Sequence, residues 1–173
     1  MMRLISLLFL AFLVVGCASP TKPVAMIPVD YVPQKIQPYS VNVNVAGGQE
    51  TSAMGKSNVS DADLKTAIEE TILKTKAFKQ LIKVGAADYE LSASVMTVNQ
   101  PSMGFSFTVK TDLAWKLSKV GSSDAAWRKV ISSEHTTSAG EAFAGVTRLR
   151  MATEGAIKNN IEMALKEIAV LSL

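Results

Sequence analysis

One residue in this 173-residue chain offers a thiol, and its surroundings limit what that thiol can do. Cys17 closes the run Val14-Val15-Gly16-Cys17, and no second cysteine exists to pair with it inside the chain. Its chemistry is therefore that of a single nucleophile, open to alkylation or acylation. Upstream lie Met1 and Arg3, then an apolar stretch from Leu4 to Val15. A basic start, about a dozen apolar residues and small residues at a cleavage point make a secretory signal. The stretch falls short of the ~20 apolar residues a spanning helix needs. Such a signal segment is expected to be removed from the mature chain.

The next candidate for chemistry is His135, the only histidine, set among Ser132, Ser133, Glu134, Thr136 and Thr137. Acyl transfer of the Ser-His-acid kind needs nucleophile, base and carboxylate to converge. Neighbours along a strand point to opposite faces, so this proximity in sequence is not convergence. No Gly-x-Ser-x-Gly elbow occurs, and His135 is expected on the surface. One histidine, one cysteine and no clustered carboxylates do not build a zinc or calcium cage. Phosphate-loop and dinucleotide fingerprints are missing too. No cofactor, metal or catalytic residue is expected, and the chain is read as a non-enzyme.

A third candidate is the segment Glu141-Ala142-Phe143-Ala144-Gly145-Val146-Thr147-Arg148-Leu149-Arg150 and onward to Glu154-Gly155. Arginine suits carboxylate or phosphate recognition because its fork is bidentate. Arg148 and Arg150 project about 200° apart on a helix, so they make one clamp only if the helix begins after Arg148. Arg150 and Glu154 are four apart and can pair, contributing ~0.3–0.5 kcal/mol if exposed. Phe143, Arg148, Arg150 and Glu154 are the partner-binding candidates, against the plainer reading of a helix start with ordinary surface pairing.

These residues need a scaffold. Removing residues 1–16 takes Arg3 with it and leaves 157 residues of formal charge +2, the length of one domain. The positive charges are scattered, so a pI near 9.0 does not point to nucleic acid. Five of the six prolines lie between Pro20 and Pro38. Residues 17–38 therefore read as Cys17 followed by an extended Pro-rich tether, with packing of Val29, Tyr31 and Val32 onto an edge as the alternative. At ~3.1 Å per residue such a tether reaches ~60 Å.

The domain is expected over 39–173. Val41, Val43 and Val45 alternate with Asn42 and Asn44, a short strand stopped by Gly47-Gly48. Ser60 is placed to cap a helix whose stripe runs through Leu64, Ala67, Ile68, Thr71 and Ile72. That helix is expected to end between Phe78 and Leu81. Tyr89, Leu91, Ala93, Val95 and Thr97 form a second strand. Phe105, Phe107, Val109, Thr111, Leu113, Trp115 and Leu117 keep strict alternation over thirteen residues, giving a long third strand with one buried face. Trp127, Lys129, Ile131, Ser133 and His135 continue as a fourth, with Val130 on the other face. Trp115 and Trp127 are expected on neighbouring strands, packing the core or lining a groove. A last helical stripe runs from Val146 through Ile157 and Ile161 to Ile168, weakened at Gly155 by up to ~1 kcal/mol.

The order β-α-β-β-β-α implies an α+β two-layer sandwich. Its sheet is four-stranded and mostly antiparallel, with two helices on one face. The polar sheet face would carry Ser106, Thr108, Lys110, Asp112 and Lys116.

Val-Val-Gly-Cys resembles the lipobox of bacterial lipoproteins. That resemblance implies a diacylglyceryl thioether on Cys17, cleavage before it and acylation of the new amino terminus. Under the sorting rule of Gram-negative lipoproteins, Ala18 in place of Asp implies the outer membrane, facing the periplasm. Pro101-Ser102-Met103-Gly104-Phe105, Phe143 to Ala152, Glu154-Gly155-Ala156 and Asn160-Ile161 are similar to a group of small proteobacterial envelope lipoproteins of unassigned role. The resemblance covers residues 60–168. It implies a non-catalytic binding or accessory module, held to the membrane by lipid and meeting an envelope protein partner. The alternatives are a carrier of a lipid or acyl chain, or an envelope hydrolase or transferase.

Overall fold

The computed structural model describes residues 18–52 and 56–173; Cys17 and the signal segment lie outside the described residues. A five-stranded sheet carries two helices on one face. The strands are β1 (Gln37–Ala46), β2 (Phe78–Leu81), β3 (Tyr89–Asn99), β4 (Phe107–Lys119) and β5 (Ala125–Thr137). The helices are α1 (Asp61–Thr75) and α2 (Gly145–Ala169), and a short 3-10 turn spans Pro23–Met26.

The sheet order is β2-β1-β3-β4-β5. β1 runs parallel to both of its neighbours, while β3–β4 and β4–β5 are antiparallel. This corrects the expected four-stranded sheet. The extra strand is β2, in the stretch assigned to the end of α1. Ser60 does cap α1, accepting a hydrogen bond from the Asp63 amide at 3.1 Å. The helix stops earlier, however, because Lys76 takes the left-handed conformation at φ 55°. A lysine there hides the stop that a glycine would have announced. β2 pairs with the first half of β1 and β3 with the second half, on opposite sides. The chain crosses between them beside Ser40, whose amide and hydroxyl both donate to Asp88 at 2.8 and 2.7 Å. Those bonds hold the Asp88 carboxyl below the usual carboxylate range.

The alternation in β4 is realised: Phe107, Val109, Thr111, Leu113, Trp115 and Leu117 are buried. Phe105 lies before the strand and is 88% exposed, contrary to its expected place on the buried face. A bulge between Val95 and Thr97 turns Thr97 to the outer face, where its hydroxyl donates to Asp112 at 2.6 Å. Trp115 and Trp127 sit diagonally on adjacent strands, since Leu117 is the direct partner of Trp127. Both join the core, which β1, β3, β4 and the two helices share.

The Pro-rich segment is not a free tether where the structure describes it. Thr21, Met26, Ile27 and Tyr31 are buried, whereas Val29 and Val32 are exposed. Met26 and Tyr31 belong to the main core cluster. Gln37 donates to the Ile168 carbonyl at 2.7 Å, and the Lys22 amide donates to Glu154 at 2.8 Å. Residues 22–37 thus form a strap along α2, from Glu154 toward its C-terminus. That cover explains why α2 is buried on more than one face around residues 152–157.

Candidate functional site

Helix α2 begins at Gly145, ahead of Arg148, so the two arginines do not share a clamp. Arg148 is buried beneath the loops. Its Nη1 donates to the carbonyls of Ala142 and Phe143 at 2.8 and 2.6 Å, and its Nη2 to Gly104 at 3.4 Å. The guanidinium carbon lies 5.2 Å from the Phe107 ring centroid, a cation–π distance. One side chain therefore ties the β3–β4 loop to the β5–α2 loop.

Arg150 lies elsewhere on the helix and meets Glu154, Nε to Oε1 at 3.5 Å. Glu154 is 5% exposed, and the same Oε1 accepts the Lys22 amide. Burial pushes its carboxyl above the ordinary range, against the lowering pull of the Lys22 amide and Arg150. Of the four partner-binding candidates, Phe143 alone projects freely, at 99% exposure. Arg148 holds the loop beneath it, and Arg150 with Glu154 holds the strap.

His135 is not a surface residue in the expected sense. It is half-buried, on the face of β5 turned toward α2, with its ring over Gly155. The buried polar groups near it form a network that single residues in the sequence did not announce. Asn160 Nδ2 donates to the Ile131 carbonyl at 2.7 Å and to Ser133 Oγ at 3.0 Å. Asn160 Oδ1 accepts the Trp115 indole N–H at 2.8 Å. Ser133 Oγ in turn donates its one proton to the Ala156 carbonyl and so accepts from the Thr111 hydroxyl at 2.9 Å. Asn160 falls within the apolar stripe of α2, which is the one signal that could have marked it.

Among the described residues no helix covers the opposite face of the sheet. Asp112 accepts Ser132 Oγ at 2.5 Å and Thr97 Oγ1, which together hold its carboxyl below the ordinary range. Thr108 bonds Thr136 at 2.8 Å, and Lys110 pairs with Glu134 at 3.2 Å. Thr108, Lys110 and Lys116 are exposed there as expected, while Ser106 lies just before the strand. An open depression of about 480 Å³ runs from this ladder over the β5 edge to Asn159 and Met163. A separate groove of about 320 Å³ between α1 and β2 is lined by Ile36, Leu73, Phe78 and Leu81. Among the described residues no group of three or more His, Cys, Asp or Glu side chains could hold a metal ion.

No protein-family model matches the chain, and no curated protein matches it in sequence. Solved structures do match in fold. A Xanthomonas campestris protein of family-model DUF330 has a TM-score of 0.63 at 11% identity, over 87% of this chain and 94% of that one. A hypothetical protein from Chlamydia trachomatis has 0.53 at 9% identity, over 76% and 98%. A Caulobacter crescentus protein described as a lipoprotein has 0.51 at 13% identity, over 75% and 87%. At these identities the likeness is one of architecture: an α+β domain with a mixed five-stranded sheet and two helices.

Proposed function

We propose that this protein is a lipoprotein anchored through Cys17 to the outer membrane and facing the periplasm. Its domain serves there as a non-catalytic binding or accessory module of the cell envelope. The observation that carries the non-catalytic reading is where the polar side chains spend their bonds. Arg148 binds three main-chain carbonyls, Glu154 binds the strap, Ser133 binds α2, and His135 packs on Gly155. Groups committed to the fold in this way have no free geometry for a substrate. Val14 to Cys17 supports the anchor, and the fold shared with the Caulobacter crescentus lipoprotein is consistent with it.

The uncovered sheet face is the surface this reading assigns to an envelope protein partner. Photocrosslinkers placed at Thr108 and Lys116 are expected to capture one specific envelope protein in cells. Turnover of a peptidoglycan, lipid or ester substrate that disappears in H135A would overturn the non-catalytic reading. The groove between α1 and β2 favours a second reading, a carrier of one acyl chain. Native mass spectrometry of the protein separates the two: a co-purifying lipid beyond the Cys17 acyl groups supports the carrier, and none supports the accessory module.

A further inference from the structure

Three connections close the same end of the domain. β1 ends at Ala46 and α1 begins at Asp61; β3 ends at Asn99 and β4 begins at Phe107; β5 ends at Thr137 and α2 begins at Gly145. These loops are bonded into one base. Arg148 joins the Gly104 carbonyl to those of Ala142 and Phe143. Gln100 Nε2 donates to the Ser57 carbonyl and to Thr153 Oγ1, and Lys56 Nζ donates to the Gln100 carbonyl at 3.0 Å. From this base Met103, Phe105 and Phe143 stand 84%, 88% and 99% exposed. The opposite end exposes Val84, Val120 and Val170, with Ile36 and Leu73 about half exposed, and among the described residues Phe105 and Phe143 are the exposed phenylalanines.

The N-terminal strap says what this end faces. The strap follows α2 from Glu154 at Lys22 to Ile168 at Gln37, so it enters the domain from the loop end. Thr21, one residue earlier, donates to the Asn58 carbonyl in the β1–α1 loop. From Lys22 to Cys17 is five residues, a reach of no more than about 18 Å. From Glu154 back to Gly145 is about 14 Å along the helix, while forward to Ala169 is about 22 Å. Five residues from Lys22 are thus long enough to span to the loop end and too short to span to the other.

We infer that Met103, Phe105 and Phe143 form a membrane-docking edge. When Cys17 carries its lipid, these side chains enter the interfacial layer of the same leaflet. They then hold the domain loop end down on the bilayer. The inference rests on the anchoring of Cys17. Three apolar side chains would hold a free protein on a membrane only weakly. A lipid on Cys17, at most about 18 Å of chain from Lys22, makes their insertion effectively intramolecular, which removes most of that cost. The rigid base linked by Arg148 removes more, since the loops need no ordering on contact.

The test uses the full-length lipidated protein reconstituted in phosphatidylethanolamine–phosphatidylglycerol vesicles with brominated acyl chains. The F143W and F105W variants replace exposed side chains, and Trp115 and Trp127 give a background common to every sample. Both variants are expected to show blue-shifted emission and loss of that emission to the bromines. A V84W control at the opposite end is expected to show neither. If F143W and F105W are quenched no more than V84W, and are quenched by aqueous acrylamide instead, the docking edge is refuted. The apolar loops would then be left to a protein partner. Mass spectrometry of the same sample reads the anchor separately. An unmodified Cys17 overturns the anchoring and the inference with it, whereas an acylated Cys17 with unquenched loop tryptophans overturns the docking edge alone.

Discussion

Gly155 on α2 lies against the imidazole of His135 on β5. A Cβ at Gly155 would stand closer than 3.0 Å to Cγ, Cδ2 and Nε2 of that ring. Replacing a mid-helix glycine by alanine in open surroundings gains up to ~1 kcal/mol. Here the methyl must displace the ring or lift the helix, and overpacking costs ~1–3 kcal/mol. G155A is therefore expected to lower the stability measured by urea unfolding. The double variant G155A/H135A is expected to recover most of the loss. A double-mutant cycle with no coupling between the two positions would contradict the packing.

The buried face of the sheet gives a paired comparison. Val109 is fully buried and Thr108, its neighbour, is exposed with its hydroxyl on Thr136. An unpaired buried charge costs several kcal/mol, comparable with a domain stability of ~5–15 kcal/mol. V109D is expected to abolish soluble folding and T108D to leave the melting temperature nearly unchanged. Equal tolerance of the two, read by circular dichroism melts, would contradict the burial of this strand face.

How far the sequence carried the fold depends on the length of each pattern. Thirteen alternating residues made β4 plain, and the Ser60 cap made the start of α1 plain. β2 has four residues directly after a helix, too short for its own period, and its helix stop falls on Lys76 rather than on a glycine. Phe105 continues the alternation of β4 by type but stands outside the ladder, because periodicity cannot say where pairing ends. The strap was hidden for another reason. Prolines remove donors and suggest extension, yet Met26 and Tyr31 between them carry enough apolar surface to dock on the helices. Of the site, Phe143 was legible as a loop side chain. The inward bonding of Arg148 and Glu154 was not, because it depends on the Gly104 loop and on Lys22, both distant in sequence.

Asn160 carries the polar network between β4, β5 and α2. N160A leaves the Trp115 N–H and the Ile131 carbonyl without their side-chain partner and opens a small void. An unsatisfied buried group costs ~1–3 kcal/mol, so a loss of about 2–5 kcal/mol is expected. Guanidinium unfolding measures it, and a loss within about 0.5 kcal/mol, the range of ordinary surface changes, would contradict the network.

Glu154 gives the strap a pH dependence whose sign follows from burial. Its carboxyl is raised above 4.5, so the folded state binds the proton more tightly than the unfolded chain does. Its contribution to stability is then greatest at low pH and declines as pH rises from about 4.5 through the raised folded value. E154Q keeps an acceptor for the Lys22 amide and carries no charge to bury. Relative to the parent, E154Q is expected to gain stability between pH 4 and pH 7 in paired thermal melts. A constant difference across that range, or a widening loss, would contradict a buried, proton-preferring carboxyl.

Cys17 is the proposed point of attachment to the membrane, and cell fractionation of C17S tests that attachment most directly. The thiol is required for the lipid, while among the described residues the core runs from Met26 onward. The parent protein is expected in the outer-membrane fraction. C17S is expected to be absent from that fraction, while its domain resists protease as the parent's does. Recovery of C17S in the outer membrane at the parent's level would contradict the account, because a partner or the domain itself, and not lipid on Cys17, would then be what holds the protein there.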